Sequence, residues 1–198
     1  AELQHPKNYG ERIMALSRFI FDLALTLTYN PAMAAPPQVD APLPTLKISE
    51  RGELILSEDD FKVVPWNSDD LVRKVNVIQY FGANMGDRDT FQPFTDLLQV
   101  SFAAGTIHVA TLLNLDAAMW GTTGFVVSEL KKNKQAHPEA TMVLDDNGSG
   151  VDTWDLGDAG TGLLVTNNKG IVKFFTPKAL SKAEMAATVE LIRANLDD

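Results

Sequence analysis

The sequence predicts an α/β domain in which helices cover a central mixed sheet. From Val75 to Gln99, a run of β-branched and aromatic residues precedes a polar loop and an amphipathic helix, which is typical of half a βαβ unit. A second apolar run, from Ile107 to Leu115, predicts another buried strand. Leu163–Thr166 and Ile171–Phe175 flank an Asn-Asn-Lys-Gly turn, which predicts an antiparallel hairpin.

The central unit joins a buried strand to an exposed loop. Val75 to Phe81 form the predicted strand, and Gly82 to Arg88 form the loop. Asp89 and Gln92 are spaced as a capping pair that opens the following helix. That helix carries an apolar stripe toward the core, made of Phe91, Phe94, Leu97 and Leu98. Because ligands of open α/β folds bind at the carboxyl ends of strands, the loop is the first candidate site.

The composition excludes several classes of function. The chain has 198 residues and a net charge of -9 at pH 7. No basic run is longer than Lys131-Lys132, whereas binding to phosphate backbones needs clustered Lys and Arg, so we expect no nucleic-acid partner. The chain contains no cysteine, which excludes thiol oxidoreductase and peroxidase chemistry and thiolate metal sites. We expect no cofactor.

The N-terminal 34 residues are predicted to be an extension that carries a secretory signal. Met14 to Ala34 contains a basic residue, a short apolar run and small residues before a cleavage site after Ala34, although Asp22 interrupts the apolar run. An amphipathic helix packed on the domain is the alternative. The run is too short to span a bilayer, so we expect a periplasmic protein with no stable membrane insertion of the mature domain.

Residues 35–44 are predicted to be a proline-rich linker, and residues 45–198 a single domain. At the start of this domain, Leu46 to Leu56 is interpreted as a short hairpin that turns at Arg51-Gly52. A further extended piece runs from Phe61 to Trp66, and Asn67 or Ser68 caps a single helical turn after it.

The remaining elements complete an alternating pattern. Phe125 to Lys134 is a predicted helix whose lysines form a solvated end, and Thr141 to Leu144 is a third short strand. Val151 to Leu156 is interpreted as a short extended or bulged segment. A capping box of Ser181 and Glu184 opens a terminal helix.

Two isolated polar features have both a chemical and a structural interpretation. Asp145, Asn147 and Ser149 are spaced like the first half of a calcium loop, but Leu156 occupies the twelfth position, and a β-turn explains Asn147-Gly148 equally well. They are a weak candidate for a metal site. His108 has apolar neighbours and is interpreted as a hydrogen-bonded strand residue rather than a catalytic base.

The order of elements resembles the thioredoxin fold, a three-layer sandwich with a central mixed sheet, here with the N-terminal hairpin extension of peroxiredoxin-like members. Lys74 through Ala83 is similar to the segment that precedes the redox motif in those proteins. This resemblance places the two redox positions at Gly86 and Asp89, which have no thiol. It places the cis-proline position at Thr161, where proline is also missing.

Several short matches in order resemble the YtfJ family of bacterial exported proteins. They are Arg51-Gly52-Glu53-Leu54, Trp66-Asn67-Ser68, the Lys-Val pair before the central strand, Phe125-Val126 and the turn from Asp145 to Gly148. The resemblance covers about Ile48 to Leu196. It implies a signal sequence, a thioredoxin-like fold and no established activity. Some members are described as transcriptional regulators, which fits poorly with an acidic chain that has no helix-turn-helix signature.

Three functional hypotheses follow. The first is a redox-inactive binding or adaptor module for an unknown protein or small ligand of the envelope, since a scaffold without its nucleophile still presents loops. Its candidate surface consists of Asn84, Met85, Gly86, Asp87, Arg88, Asp89, Thr161 and Trp120. The second is a carboxylate- or metal-dependent enzyme at the same loop, with Asp87 and Asp89 as acid and base or as metal ligands and Arg88 holding an anionic substrate. The third, a transcriptional regulator, is disfavoured.

Overall fold

The computed structural model describes residues 34–58, 60–71, 73–119 and 121–196, without the side chains of Met85 and Arg88. Trp120 and the predicted signal segment before Ala34 lie outside the described residues. None of the helices in the described ranges has the length and apolar character needed to cross a membrane.

Within these ranges seven strands form one sheet in the order β2-β1-β5-β4-β3-β6-β7. The strands are β1 (Lys47–Ser57), β2 (Asp60–Asn67), β3 (Asn76–Gly82), β4 (His108–Asn114), β5 (Thr141–Asp145), β6 (Gly162–Thr166) and β7 (Val172–Thr176). The α-helices are α1 (Met85–Arg88), α2 (Gln92–Ser101), α3 (Thr123–Ala136), α4 (Ser149–Thr153) and α5 (Lys182–Ala194). Single 3-10 turns lie at Ser68–Asp70 and Gly157–Ala159.

The sheet is mixed, as predicted. β3, β4 and β5 pair in parallel, with Ile78 opposite Ala110 and Leu112 opposite Val143. The hairpin of β6 and β7 pairs antiparallel to β3 on one side, and the hairpin of β1 and β2 pairs antiparallel to β5 on the other. The carboxyl ends of the three parallel strands therefore meet at one edge of the sheet, and the loops after them must lie side by side.

Helices cover both faces of the sheet, which confirms the three-layer sandwich. Successive residues of a strand point to opposite faces, and Val77 belongs to one buried cluster whereas Ile78 and Tyr80 belong to another. The Val77 face is covered by α2 and α5, and by α3 over β4 and β5. The opposite face is covered by Trp154 and Leu156, which follow α4.

The N-terminal hairpin exists, but its predicted turn is wrong. Arg51-Gly52 lies inside the continuous strand β1, at a bulge where the register with β2 shifts between Ile48 and Glu53. Gly52 adopts a φ of 100°, and a Cβ there would collide with the Val64 carbonyl oxygen. A glycine at a bulge gives the same local sequence pattern as a glycine in a turn. The true turn lies between Ser57 and Asp60.

The predicted start of the central helix is also wrong. Asn84, not Asp89, caps a helix through its side chain, and that helix is the short α1. Asp89 ends α1, and α2 begins after Phe91, which makes no side-chain cap. The apolar stripe is confirmed, because Phe91, Phe94 and Leu98 are buried. The core contacts of these side chains determine the helix position more strongly than the Asp89–Gln92 pattern.

Three further elements can be compared with their predictions. The Ser181–Glu184 capping box is confirmed, with Glu184 Oε2 accepting from the Ser181 amide at 2.7 Å. The extended interpretation of Val151 to Leu156 is wrong, because α4 occupies its first half. The lysines of α3 are not all solvated, because Lys134 is buried and donates to the Ala140 carbonyl.

Part of the predicted proline-rich linker lies along β7. The Asp40 amide donates to the Val172 carbonyl, and the Val172 amide donates to the Ala41 carbonyl. Pro42 bridges to Ile171. This segment therefore pairs with the outer edge of β7 for a few residues.

Replacement of Phe94 by alanine should destabilise the domain by about 3–5 kcal/mol, since it empties a fully packed position between α2 and the sheet. Phe94 is 1% exposed, whereas Val100 on the same helix is 83% exposed. Val100→Ala is the control and should change the free energy of unfolding by less than about 0.5 kcal/mol. Chemical denaturation measures both values, and a loss below about 1 kcal/mol for Phe94→Ala would contradict this core assignment.

His108 is a hydrogen-bonded strand residue. Its Nε2 lies 3.0 Å from Thr141 Oγ1. Burial lowers the pKa of His108 from its ordinary value of 6.5, and the positive charges of Lys74 and Lys134 lower it further, against a smaller opposite effect of Glu139. The folded state therefore holds this proton less tightly than the unfolded chain does.

Stability should consequently fall as the pH drops below about 6.5, because the unfolded state binds the His108 proton first. The His108 contribution is complete above the unfolded pKa and is lost as the pH approaches the lowered folded pKa. His108→Gln should flatten this part of the profile while retaining a donor for Thr141. Melting temperatures between about pH 7.5 and pH 5 measure the effect, with the exposed His137→Gln as control. Identical slopes for the wild type and His108→Gln would contradict the assignment.

Candidate functional site

The loop after β3 is organised by Asn84. Its Oδ1 accepts from the amides of Gly86 and Asp87, each at 3.0 Å, and its Nδ2 donates to Asp87 Oδ2 at 2.6 Å. Asn is a favoured N-cap because its side-chain oxygen satisfies amides that have no partner in the first turn. The Asp87 carboxylate is thereby hydrogen-bonded beside Gly82, at the carboxyl end of β3.

A cleft of about 420 Å³ opens beside this loop. It lies where the parallel strands end, and its walls come from the segments after β3, β4 and β5 and from the turn at Gly157–Ala159. The polar side chains that line it are Asn84, Asp87, Asn114, Asp116, Asn147, Asp152 and Asp158. A concave site at this edge of the sheet is the expected position for a ligand.

The structure brings together only some of the predicted site residues. Asn84 and Asp87 line the cleft, while Gly86 is exposed on α1 and Asp89 is exposed at the end of α1. Thr161 is buried, and its hydroxyl donates to the Pro177 carbonyl at 2.7 Å. Its hydroxyl group is therefore engaged within the fold. Trp120 and the side chains of Met85 and Arg88 are outside the described residues, so their part in the site stays a prediction.

Asp145, the first residue of the weak metal candidate, is engaged in a buried network. Its Oδ1 accepts from the Ser149 amide at 3.0 Å, and its Oδ2 accepts from the Gly150 amide at 2.8 Å and from the Tyr80 hydroxyl at 2.7 Å. Asn147 is exposed and lines the cleft. Over the described residues, no three His, Asp or Glu side chains are grouped in a way that would hold a metal ion.

The same network explains the pKa of Tyr80. Burial raises the pKa of the Tyr80 hydroxyl well above its usual range, and the adjacent negative charge of Asp145 raises it further. Tyr80 therefore stays protonated and serves as a permanent donor. Its ring packs edge-on against Trp154 at a centroid distance of 6.1 Å. Gly150 is required beside this ring, because a Cβ there would overlap the tyrosine.

Sequence reasoning missed Asn114, Asp116, Asp152 and Asp158, although all four line the cleft. Asn114 and Asp116 could have been found, since they stand at the carboxyl end of a predicted parallel strand as Gly82 does. Asp152 and Asp158 could not, because the segment that carries them was interpreted as extended or left unassigned.

Solved structures with this fold are thioredoxin-like. The chain aligns over 82% of its length with 92% of a putative protein disulfide isomerase from Bacteroides thetaiotaomicron, at 17% identity and a TM-score of 0.53. It aligns over 80% of its length with 99% of a putative thiol:disulfide interchange protein DsbE from Chlorobium tepidum, at 13% identity and a TM-score of 0.51. At these identities the likeness concerns the fold alone. Together with the absence of cysteine, it defines a cysteine-free protein with a thioredoxin-like fold.

Residues 38–195 match the YtfJ family, whose description is "Bacterial protein of unknown function", and the chain belongs to this family. An uncharacterized protein of Haemophilus influenzae is 31% identical over 156 residues, which cover 78% of this chain and 85% of that protein. The uncharacterized protein YtfJ of Escherichia coli is 29% identical over 174 residues, which cover 86% of this chain and 95% of that protein.

Removal of the Tyr80 hydroxyl should loosen the wall of the cleft that α4 provides. Tyr80→Phe keeps the ring packing but removes a buried hydrogen bond to a carboxylate, which should cost about 1.5–3 kcal/mol of stability. The control is Asp146→Asn, which removes an exposed ion pair with Arg51 and should cost about 1 kcal/mol or less. Denaturation of both variants measures the difference. Equal losses would mean that the Asp145 network contributes no more than a surface pair.

Proposed function

We propose that this YtfJ-family chain is an exported, redox-inactive binding module, which takes a protein or small ligand of the cell envelope at the cleft beside the Asn84–Asp89 loop. The observation that carries this proposal is the cleft itself, at the carboxyl ends of β3, β4 and β5. Thiol exchange needs a cysteine, and the chain has none. What is left of the thioredoxin-like site is a set of polar loops that can contact a partner.

Hydrogen bonds within the site support binding. The Asn84 side chain accepts from amides in the loop after β3, and Asp145 accepts from amides in the segment after β5. Loops restrained by such hydrogen bonds lose less conformational entropy when a ligand binds. Export is inferred from the layout of Met14 to Ala34, which has the order of a secretory signal.

A carboxylate-dependent enzyme at the same loop receives less support. The proposed pair was Asp87 and Asp89, but Asp87 is bound to Asn84 and Asp89 ends α1 on the exposed side. An acid and a base that share one substrate need carboxylates on either side of it. The observations therefore favour binding over catalysis.

Affinity capture from an envelope extract tests the binding function. The full chain should retain a partner that an Asp87→Ala, Arg88→Ala double variant loses, since this variant removes two charges from the candidate loop. An Asp60→Ala, Lys62→Ala variant is the matched control, because it removes the same charges from the exposed strand β2 at the far edge of the sheet. Proteins and small molecules released from each column are identified by mass spectrometry.

Equal capture by the wild type and both variants would exclude this loop as the binding surface. No capture by any of them would contradict the proposal of an envelope partner.

A further inference from the structure

The turn after β5 contains the one Asn-Gly pair of the sequence, Asn147-Gly148. Asn147 is exposed, and its side chain makes no hydrogen bond with any described residue. Several other asparagine side chains each accept from a backbone amide at 3.0 or 3.1 Å, namely those of Asn67, Asn84, Asn114 and Asn167. Such hydrogen bonds hold a side-chain amide in place, whereas the Asn147 amide keeps its rotational freedom.

Gly148 begins the turn into α4 with a φ of 68°, a left-handed conformation that glycine adopts without steric cost. Its amide donates no hydrogen bond to any described residue, whereas the next two amides, of Ser149 and Gly150, donate to Asp145. Gly148 also lines the cleft. The fold therefore favours glycine directly after Asn147, and the two groups that can react with each other are adjacent in the chain.

We propose that Asn147 is a site of spontaneous covalent modification, at which the Gly148 amide nitrogen attacks the carbonyl carbon of the Asn147 side chain. An attack between groups of the same chain has a large entropic advantage over an attack by a separate molecule. The side chain of the residue after an asparagine hinders this approach, and glycine has no such side chain. The modification goes beyond the proposed binding function, since it does not depend on what the cleft binds.

The reaction consumes one water molecule and releases one ammonia molecule. A base in solution removes the Gly148 amide proton, and the nitrogen lone pair forms a bond to Asn147 Cγ. The Cγ–Nδ2 bond breaks, and the side-chain nitrogen takes up a proton and leaves as ammonia. Water then opens the resulting succinimide ring. Its attack at Cγ gives aspartate, its attack at the backbone carbonyl carbon gives isoaspartate, and neither step oxidises or reduces any group.

The two products change the cleft wall in different ways. Aspartate adds a negative charge at the position of Asn147, which lines the cleft. Isoaspartate adds the same charge and also lengthens the main chain by one methylene group before Gly148. The next two amides, of Ser149 and Gly150, donate to Asp145, so this lengthening displaces the donors from their acceptor. The isoaspartate form should therefore be less stable than the aspartate form.

Incubation of the full chain in mildly alkaline buffer, followed by peptide mapping with mass spectrometry, tests the proposal. The peptide that contains Asn147 should accumulate both products, each with one oxygen atom from isotopically labelled water. Asn168 is the internal control, because a lysine follows it and the Lys169 amide donates to Asn167 Oδ1 at 3.1 Å. Conversion of Asn168 should be at least about tenfold slower, since its attacking nitrogen is engaged and hindered.

A parallel sample in denaturant and two variants separate the effect of the fold from that of the sequence. The folded chain should convert Asn147 within about threefold of the denatured rate, because this side chain stays exposed in the fold. Asn147→Gln should lose the reaction, since the longer side chain would have to close a larger ring, and the matched Asn168→Gln should leave conversion at Asn147 unchanged. Asn147→Asp reproduces the aspartate product, and the isoaspartate fraction of aged wild-type protein should melt below it.

Two results would overturn the inference. An Asn147 that stays intact in the folded chain, while the denatured chain converts it, would show that the fold protects this side chain. Equal conversion of Asn147 and Asn168 would show that the Asn-Gly turn has no special reactivity. An isoaspartate form that melts together with Asn147→Asp would contradict the effect assigned to the lengthened main chain.

Discussion

The carboxylate of Asp145 joins three parts of the fold that are distant in sequence. It lies at the end of β5 and accepts a hydrogen bond from the Tyr80 hydroxyl of β3. It also accepts hydrogen bonds from two amides at the start of α4. A buried carboxylate is tolerated only where its lone pairs are used, and here each oxygen has at least one donor. Because the partners come from a strand and from the following helix, the network determines where the chain turns after β5.

That turn sets one wall of the cleft. Gly148 and Asp152 line it, and their positions depend on how α4 is held against Tyr80. Gly150 permits the close approach of α4 to the tyrosine ring, and Trp154 packs edge-on against this ring while donating to the Pro44 carbonyl. The packing around Tyr80 and the position of the cleft wall therefore depend on the same contacts. In this arrangement a structural carboxylate, Asp145, supports the carboxylates that face the cleft.

The loop after β3 carries no thiol in this chain. The sequence resemblance to redox proteins implies that Gly86 and Asp89 occupy the thiol positions, and in this chain the Asn84 side chain accepts hydrogen bonds from the first amides of α1. The amides at the start of α1 are satisfied by the Asn84 side chain, which leaves Asp87 close to the cleft. A loop of this kind is suited to hold charge in position rather than to exchange electrons.

The sequence by itself determined the fold class, because burial patterns are local. The apolar strand before Gly82, the stripe of Phe91, Phe94 and Leu98, and the Ser181 capping box each depend on neighbours within a few residues. The exclusion of thiol chemistry followed from composition alone. Two of the seven polar side chains of the cleft, Asn84 and Asp87, were also predictable from the sequence, since they follow directly on a recognisable strand.

Only the tertiary structure decided the remaining features of the fold and of the cleft. The residues around Gly52 have the sequence pattern of a turn. Because β1 pairs with both β2 and β5, Gly52 instead lies at a bulge within β1. The sequence spacing around Asp145 is similar to that of a calcium ligand. In the fold, however, its carboxylate is buried and accepts a hydrogen bond from Tyr80, which lies on a strand distant in sequence. Asn114 and Asp152 line the same cleft as Asp87 because parallel pairing aligns the ends of β3, β4 and β5. Asp158 lines it because the antiparallel pairing of β6 with β3 places the start of β6 beside the end of β3. Such contacts depend on strand order and register, which no stretch of neighbouring residues specifies.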